Sequence, residues 1–272
     1  MSSGNKFGFG PLIQIPNPKT LLQPSSIAEP LMINAPMPIP EPYVLPSPTT
    51  VFFTFEDSNM IGWVPVDEPP QLLSAGVSRW SVDDGPISGK ALIQTADIWG
   101  DKQDVVPLGT FVIYDLLELF DFVMEFDAVI KGDDGIGMVW GWKSRTNHFR
   151  FLTMINSYHP HGAPPDKKGQ FSMIERRTSD TSPYYITRAM KKEASIIQDE
   201  VTHYKLELLD RVAKVYWNGI LALQVRLGGY MGGKVGFTIY SPHDIVYFDN
   251  VRIETIVPTP IDQMYRYSTM QR

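Results

Sequence analysis

Hydrophobic and polar positions alternate with a period of two along most of this chain. Between Phe120 and Ile130, Phe120, Phe122, Met124, Phe126, Ala128 and Ile130 fall on one side, and Asp121, Glu125 and Asp127 on the other. A period of two with one apolar side predicts a β-strand with one buried face. The same reading predicts strands at 51–55, 80–82, 91–94, 110–114, 136–142, 148–155 and 170–175. From Tyr204 to Glu254 it gives strand, Asn218-Gly219, strand, Gly232-Gly233, strand, a Ser-Pro turn and a closing strand at 246–253. Both residues of a type I′ turn need positive φ, and Asn-Gly tolerates that best, so 214–217 and 220–225 read as a hairpin. Residues 183–200 are ambiguous: 188–194 fits a short helix or a long connecting loop. About twelve short strands separated by turn signals predict an all-β, two-sheet antiparallel jelly-roll sandwich.

The alternation is missing from both ends. Residues 1–50 hold 11 of the 23 prolines. Each proline fixes φ and removes a backbone donor, so this stretch reads as an extended arm. It carries few charges and many aliphatic side chains, among them Leu12, Ile13, Ile15, Leu21, Leu22, Ile27, Leu31, Met32, Ile33 and Ile39. Disordered tails are usually charged and poor in such residues. The expectation is therefore an arm that lies on neighbouring subunits, other copies of the chain or different ones; a flexible leader is the plainer alternative. The division expected is arm 1–50, sandwich 51–256 and tail 257–272.

Composition narrows the functions. Of 272 residues, 43% are hydrophobic and 12% aromatic, ample for a packed core. The net charge is −6 with scattered lysines and arginines, so no basic stripe for nucleic acid is present. No apolar run has the length of a membrane helix. The absence of cysteine excludes disulfides, zinc thiolate sites and cysteine nucleophiles. The first ten residues lack the apolar segment of a secretion signal, which leads to the expectation of a virion or other extracellular assembly made without one.

Three stretches resemble the concanavalin A-like lectin/glucanase jelly roll, and within it the thrombospondin C-terminal and laminin-G-like domains. They are Asp133 to Trp142 with Asn147 to Met154, Thr202 to Leu208 through Asn218-Gly219, and Gly232 to Ile239 with Val246 to Ile253. The resemblance spans roughly 51–256. It implies calcium near the acidic turn, with Asp133 and Asp134 as first candidates. A second possible calcium site joins the opening and closing strands, with Glu56 or Asp57 near Asp249. A plain Asp/Gly turn is the alternative for 133–135.

Glucanases of this fold use paired carboxylates on one strand. Glu125 and Asp127 are the nearest match, but the third acid of the pattern is absent and a solvent-facing pair explains both. His159 and His161 could meet one ion, yet no third ligand is evident. For glycan binding, Trp99, Tyr158, Tyr184 and Tyr185 are candidate aromatic platforms. Trp140 and Trp142 share parity and are expected on one face, either as a platform or as core. The leading expectation is a non-catalytic structural subunit of a larger assembly, of virion (bacteriophage) or filament type. The alternatives are a glycan-binding or adhesive module, calcium-dependent or not, and, more weakly, a carbohydrate-active enzyme.

Overall fold

A computed structural model describes residues 48–68, 77–96, 109–133, 135–157, 169–181, 184–240 and 245–256. Fifteen strands are found among them: β1 (Thr50–Phe53), β2 (Trp63–Asp67), β3 (Trp80–Asp84), β4 (Lys90–Gln94), β5 (Thr110–Leu119), β6 (Phe122–Ile130), β7 (Gly135–Ser144), β8 (Asn147–Ser157), β9 (Gly169–Arg177), β10 (Tyr185–Lys191), β11 (Thr202–Leu209), β12 (Val212–Trp217), β13 (Ile220–Arg226), β14 (Gly233–Tyr240) and β15 (Val246–Thr255). The first sheet runs β13-β12-β11-β6-β15-β4-β3, with β1 also paired to β15. The second sheet runs β10-β9-β8-β7-β14-β5-β2.

The core lies between the sheets and is built from the alternation. Phe126 and Phe248 come from the first sheet, and Trp63 and Phe237 from the second. The Phe237 and Phe248 rings stack with centroids 4.2 Å apart, Phe126 meets Phe237 edge-on at 4.8 Å, and Trp63 stacks on Phe237 at 5.2 Å. Burying each such side chain contributes about 1.5–3 kcal/mol. The predicted hairpin is present: Asn218 and Gly219 have φ of 46° and 79°, and β12 pairs with β13 across them.

Two strands were hidden from the pattern. β2 contains Pro65, which reads as a strand breaker, but β2 is the edge of its sheet, where a missing donor does no harm. β10 corrects the helix-or-loop reading of 188–194. It is the other edge strand of the second sheet, and a bulge between Thr187 and Ala189 breaks the period of two.

A second bulge corrects the shared facing of Trp140 and Trp142. Three residue steps of β7, from Val139 to Trp142, face two of β14, and Gly141 within them has a φ of +59°. The extra residue reverses the parity. Trp140 points inward and stacks on Phe149, while Trp142 points outward onto Phe111 and His148.

Candidate ligand-binding face

The outward positions of β8 and β9 form a ladder of cross-strand pairs. His148 lies opposite Arg177, Arg150 opposite Glu175, Leu152 opposite Met173 and Met154 opposite Phe171. Inward residues such as Phe149, Phe151 and Ile174 sit between them, so the alternation that builds the core also sorts these side chains onto the outer face. The ladder changes character along its length. One end is apolar, with Leu152, Met154, Phe171, Met173 and Tyr240 in one cluster. The other end is a lattice of charged and aromatic groups.

In that lattice, Arg150 donates to Glu175 Oε2 from Nε (3.1 Å) and Nη2 (2.8 Å). The Arg150 guanidinium also lies 3.6 Å from the centre of the Tyr185 ring, close enough for a cation–π contact. Arg177 donates to Glu68, to Asp180 Oδ1 (3.1 Å) and to the Ser179 carbonyl (3.1 Å). Arg145, on the β7–β8 turn, donates to Glu68 Oε2 (3.0 Å) and Asp180 Oδ2 (2.8 Å). Glu68 and Asp180 thus each bridge Arg145 and Arg177. His148 is held at Nδ1 by the Ser144 carbonyl (3.2 Å) and at Nε2 by the Tyr185 hydroxyl (3.1 Å), with Trp142 stacked on its ring at 4.7 Å.

Burial sets the electrostatics. Arg150, Glu175 and Arg177 are at most 1% exposed, and His148 and Glu68 are also buried. Solvent reaches the lattice at one rim, where the side chains of Arg145 and Asp180 are 29% and 54% exposed. Burial, with Arg150 and Arg177 nearby, drives the His148 pKa down to about 3, so the ring is neutral. Burial raises the Glu68 carboxyl despite its two arginine partners, and it raises the Tyr185 phenol.

Of the aromatic candidates read from sequence, Tyr185 lies inside this lattice. Tyr184 stands at its edge, its ring centre 5.4 Å from the Arg177 guanidinium. Trp99, Tyr158, His159 and His161 lie outside the described residues, as do the ten aliphatic arm positions. The charged members Glu68, Arg150, Glu175 and Arg177 were missed. Their signal was polar residues at alternate positions of two strands otherwise full of apolar ones, His148-x-Arg150 and Glu175-x-Arg177.

Of the expected metal positions, Glu56 lies near Asp249. Asp133 is exposed beside β7, and Asp134 lies outside the described residues. Asp57 caps its own turn, accepting from the Asn59 N–H at 3.4 Å. Asp249 is buried, accepting from the Ser88 hydroxyl (2.8 Å) and the Asn250 N–H (2.7 Å). Its nearby carboxylate is Glu56, which accepts from the Lys90 N–H. Burial raises the Asp249 pKa, and the negative charges of Glu56 and Asp127 add to the rise. No group of three or more metal-ligating side chains occurs among the described residues.

Glu125 and Asp127 share the outer face of the first sheet. Glu125 accepts from Arg252 (3.1 Å), and Asp127 accepts from Asn250 (2.9 Å) and meets His203 Nδ1 at 2.8 Å. Asp121 is set apart from them, before β6, accepting from the Asp210 N–H at 3.0 Å.

No protein-family model matches the sequence, and no curated protein matches it. Solved structures do. A glycoside hydrolase family 16 endo-glucanase from Bacteroides ovatus superposes with a TM-score of 0.50 at 8% identity, over 75% of this chain and 99% of that one. The carbohydrate binding module CBM66 from Bacillus subtilis gives 0.49 at 19% identity, over 73% and 98%. A Bacillus subtilis protein of unknown function with a galectin-like fold gives 0.47 at 11% identity, over 73% and 91%. The body of this chain has the concanavalin A-like lectin/glucanase jelly-roll fold expected from its sequence.

Proposed function

We propose that this chain is a non-catalytic glycan-binding module whose ligand is held at the charged end of the outer face of the second sheet. The observation that carries the reading is the lattice of buried Arg150, Arg177, Glu68 and Glu175 with its exposed rim of Arg145 and Asp180, beside Trp142 and Tyr185. A buried ion pair gives no more stability than apolar residues of the same volume, and often less. Retaining several on an outward face fits recognition better than packing. Guanidinium groups offer five N–H donors in a fixed fork, and carboxylates accept only, so the alternating array matches ligand hydroxyls, which do both. Ligand hydroxyls meet the lattice from its solvent-reached rim, at Arg145 and Asp180.

The absence of catalysis is part of the proposal. Glycoside hydrolysis needs one carboxyl free to give a proton and another free to attack or to activate water. Glu175 is bound by two N–H groups of Arg150, and Glu68 and Asp180 are each shared by two arginines. Glu125 and Asp127 are committed on the opposite face of the sandwich. The endo-glucanase that shares the fold acts on a carbohydrate, which agrees with the ligand class.

Isothermal titration against a panel of oligosaccharides tests the proposal. We expect saturable binding that weakens about tenfold or more in Arg145→Ala, a loss of about 1.4 kcal/mol or more. Saturable binding to no member of the panel would overturn the reading, and hydrolysis of a bound glycan would overturn its non-catalytic part.

A further inference from the structure

We infer that Glu68 is the positioning residue of the ligand site: it touches no ligand, and it holds the Arg145 guanidinium in the direction in which its remaining N–H groups meet ligand hydroxyls; the inference rests on the glycan-binding reading above. Arg145 sits in the two-residue turn between β7 and β8, with its side chain 29% exposed. Its guanidinium is gripped at two nitrogens. Nη1 donates to Glu68 Oε2 at 3.0 Å, and Nη2 donates to Asp180 Oδ2 at 2.8 Å. A guanidinium has five N–H groups. Among the described residues two of them are used, which leaves three on a side chain that solvent reaches.

The two anchors differ. The Asp180 side chain is 54% exposed and lies beyond β9, where Arg177 Nη2 donates to it at 3.1 Å. Its grip on Arg145 is a surface pair, of the kind that water weakens. The Glu68 side chain is 2% exposed, and its surroundings fix it. Its N–H donates to the Gly109 carbonyl at 3.3 Å. The residue before it, Asp67, ends β2 and accepts from the Thr110 hydroxyl (2.7 Å) and the Ser78 N–H (3.0 Å). Glu68 Oε1 accepts from the buried Arg177. The buried carboxylate therefore sets where Arg145 points, and Asp180 supplies the second prong. An arginine on a turn has many rotamers, and freezing one at the moment of binding costs affinity. A guanidinium is planar and forked, so holding two of its nitrogens also directs its other N–H groups.

The test is a double-mutant cycle, read by isothermal titration of the full chain with the oligosaccharide of the panel that the parent binds most tightly. Glu68→Gln keeps the shape but turns half of the carboxylate into a donor that faces a guanidinium. It should weaken binding about fivefold or more in the parent and less than about twofold in Arg145→Ala. No loss in the parent, or an equal loss in both backgrounds, would overturn the inference and leave the glycan-binding reading standing. Arg145→Lys carries the test if Glu68→Gln does not fold, since it keeps the rim charge without the fork. It should bind about as weakly as Arg145→Ala, and affinity within about twofold of the parent would overturn the inference. Binding of no panel member by the parent would overturn both readings.

Discussion

The two outer faces of this sandwich carry similar residues in opposite surroundings. On the first sheet, Lys205, Lys214 and Glu207 pair beside Arg252, Glu125 and Glu254, with side chains 24–35% exposed. On the second sheet, Arg150 pairs with Glu175, and both are at most 1% exposed. A pair open to water gains about 0–1 kcal/mol and is screened by salt. A buried pair must offset a desolvation cost of several kcal/mol per ion. The first face is therefore an ordinary solvated sheet surface. The second needs a reason to exist beyond stability, and ligand recognition supplies one.

The largest contrast comes from deleting one partner. Glu175→Ala leaves Arg150 buried without its carboxylate and should destabilise by about 3–5 kcal/mol in urea or guanidinium unfolding. A loss under about 1 kcal/mol would show that the second face behaves like the first.

Acid separates the faces next. His148 titrates near 6.5 when unfolded and near 3 when folded. Between those values the unfolded chain binds the extra proton, so stability is intact above about pH 6.5 and is lost as pH falls. The expected slope is about 1.4 kcal/mol per pH unit, and His148→Gln should remove that part of it. Equal slopes in the two proteins would show that this ring is not buried neutral.

Gly141 sets which way Trp142 faces. A Cβ there would approach Tyr230 Cε2 to 2.9 Å at a φ of +59°. Gly141→Ala should cost about 1–3 kcal/mol and change the Trp142 environment in near-ultraviolet dichroism. The smallest effect belongs to the first sheet: Arg252→Ala should shift stability by about 1 kcal/mol or less, and less still in high salt.

The sequence pattern carried the fold because a period of two survives wherever one side of a strand meets the core. Phe122 to Ile130 and the Asn218-Gly219 hairpin were legible for that reason. It failed where a bulge inserts one residue, at Gly141 and near Arg188, and where an edge position excuses Pro65. The candidate site was harder to read. Tyr185 was read as a candidate aromatic platform and lies in the lattice, but Glu68, Arg150 and the Glu175/Arg177 pair are far apart in sequence and meet only through the register of β8 on β9 and the placement of Glu68 just after β2. The family resemblance pointed to the acidic turn Asp133-Asp134, whereas the buried charges lie within strands and at their ends.

The most direct measurement replaces the central pair as a unit and asks what is lost. Arg150→Met combined with Glu175→Leu removes both charges while keeping their volume, so unfolding free energy should stay within about 2 kcal/mol of the parent. The account predicts that this double variant folds and binds the oligosaccharide that the parent retains about tenfold or more weakly, because the rim of Arg145 and Asp180 loses the charged pair behind it. A folded double variant that binds it with undiminished affinity would contradict the assignment of ligand binding to this face.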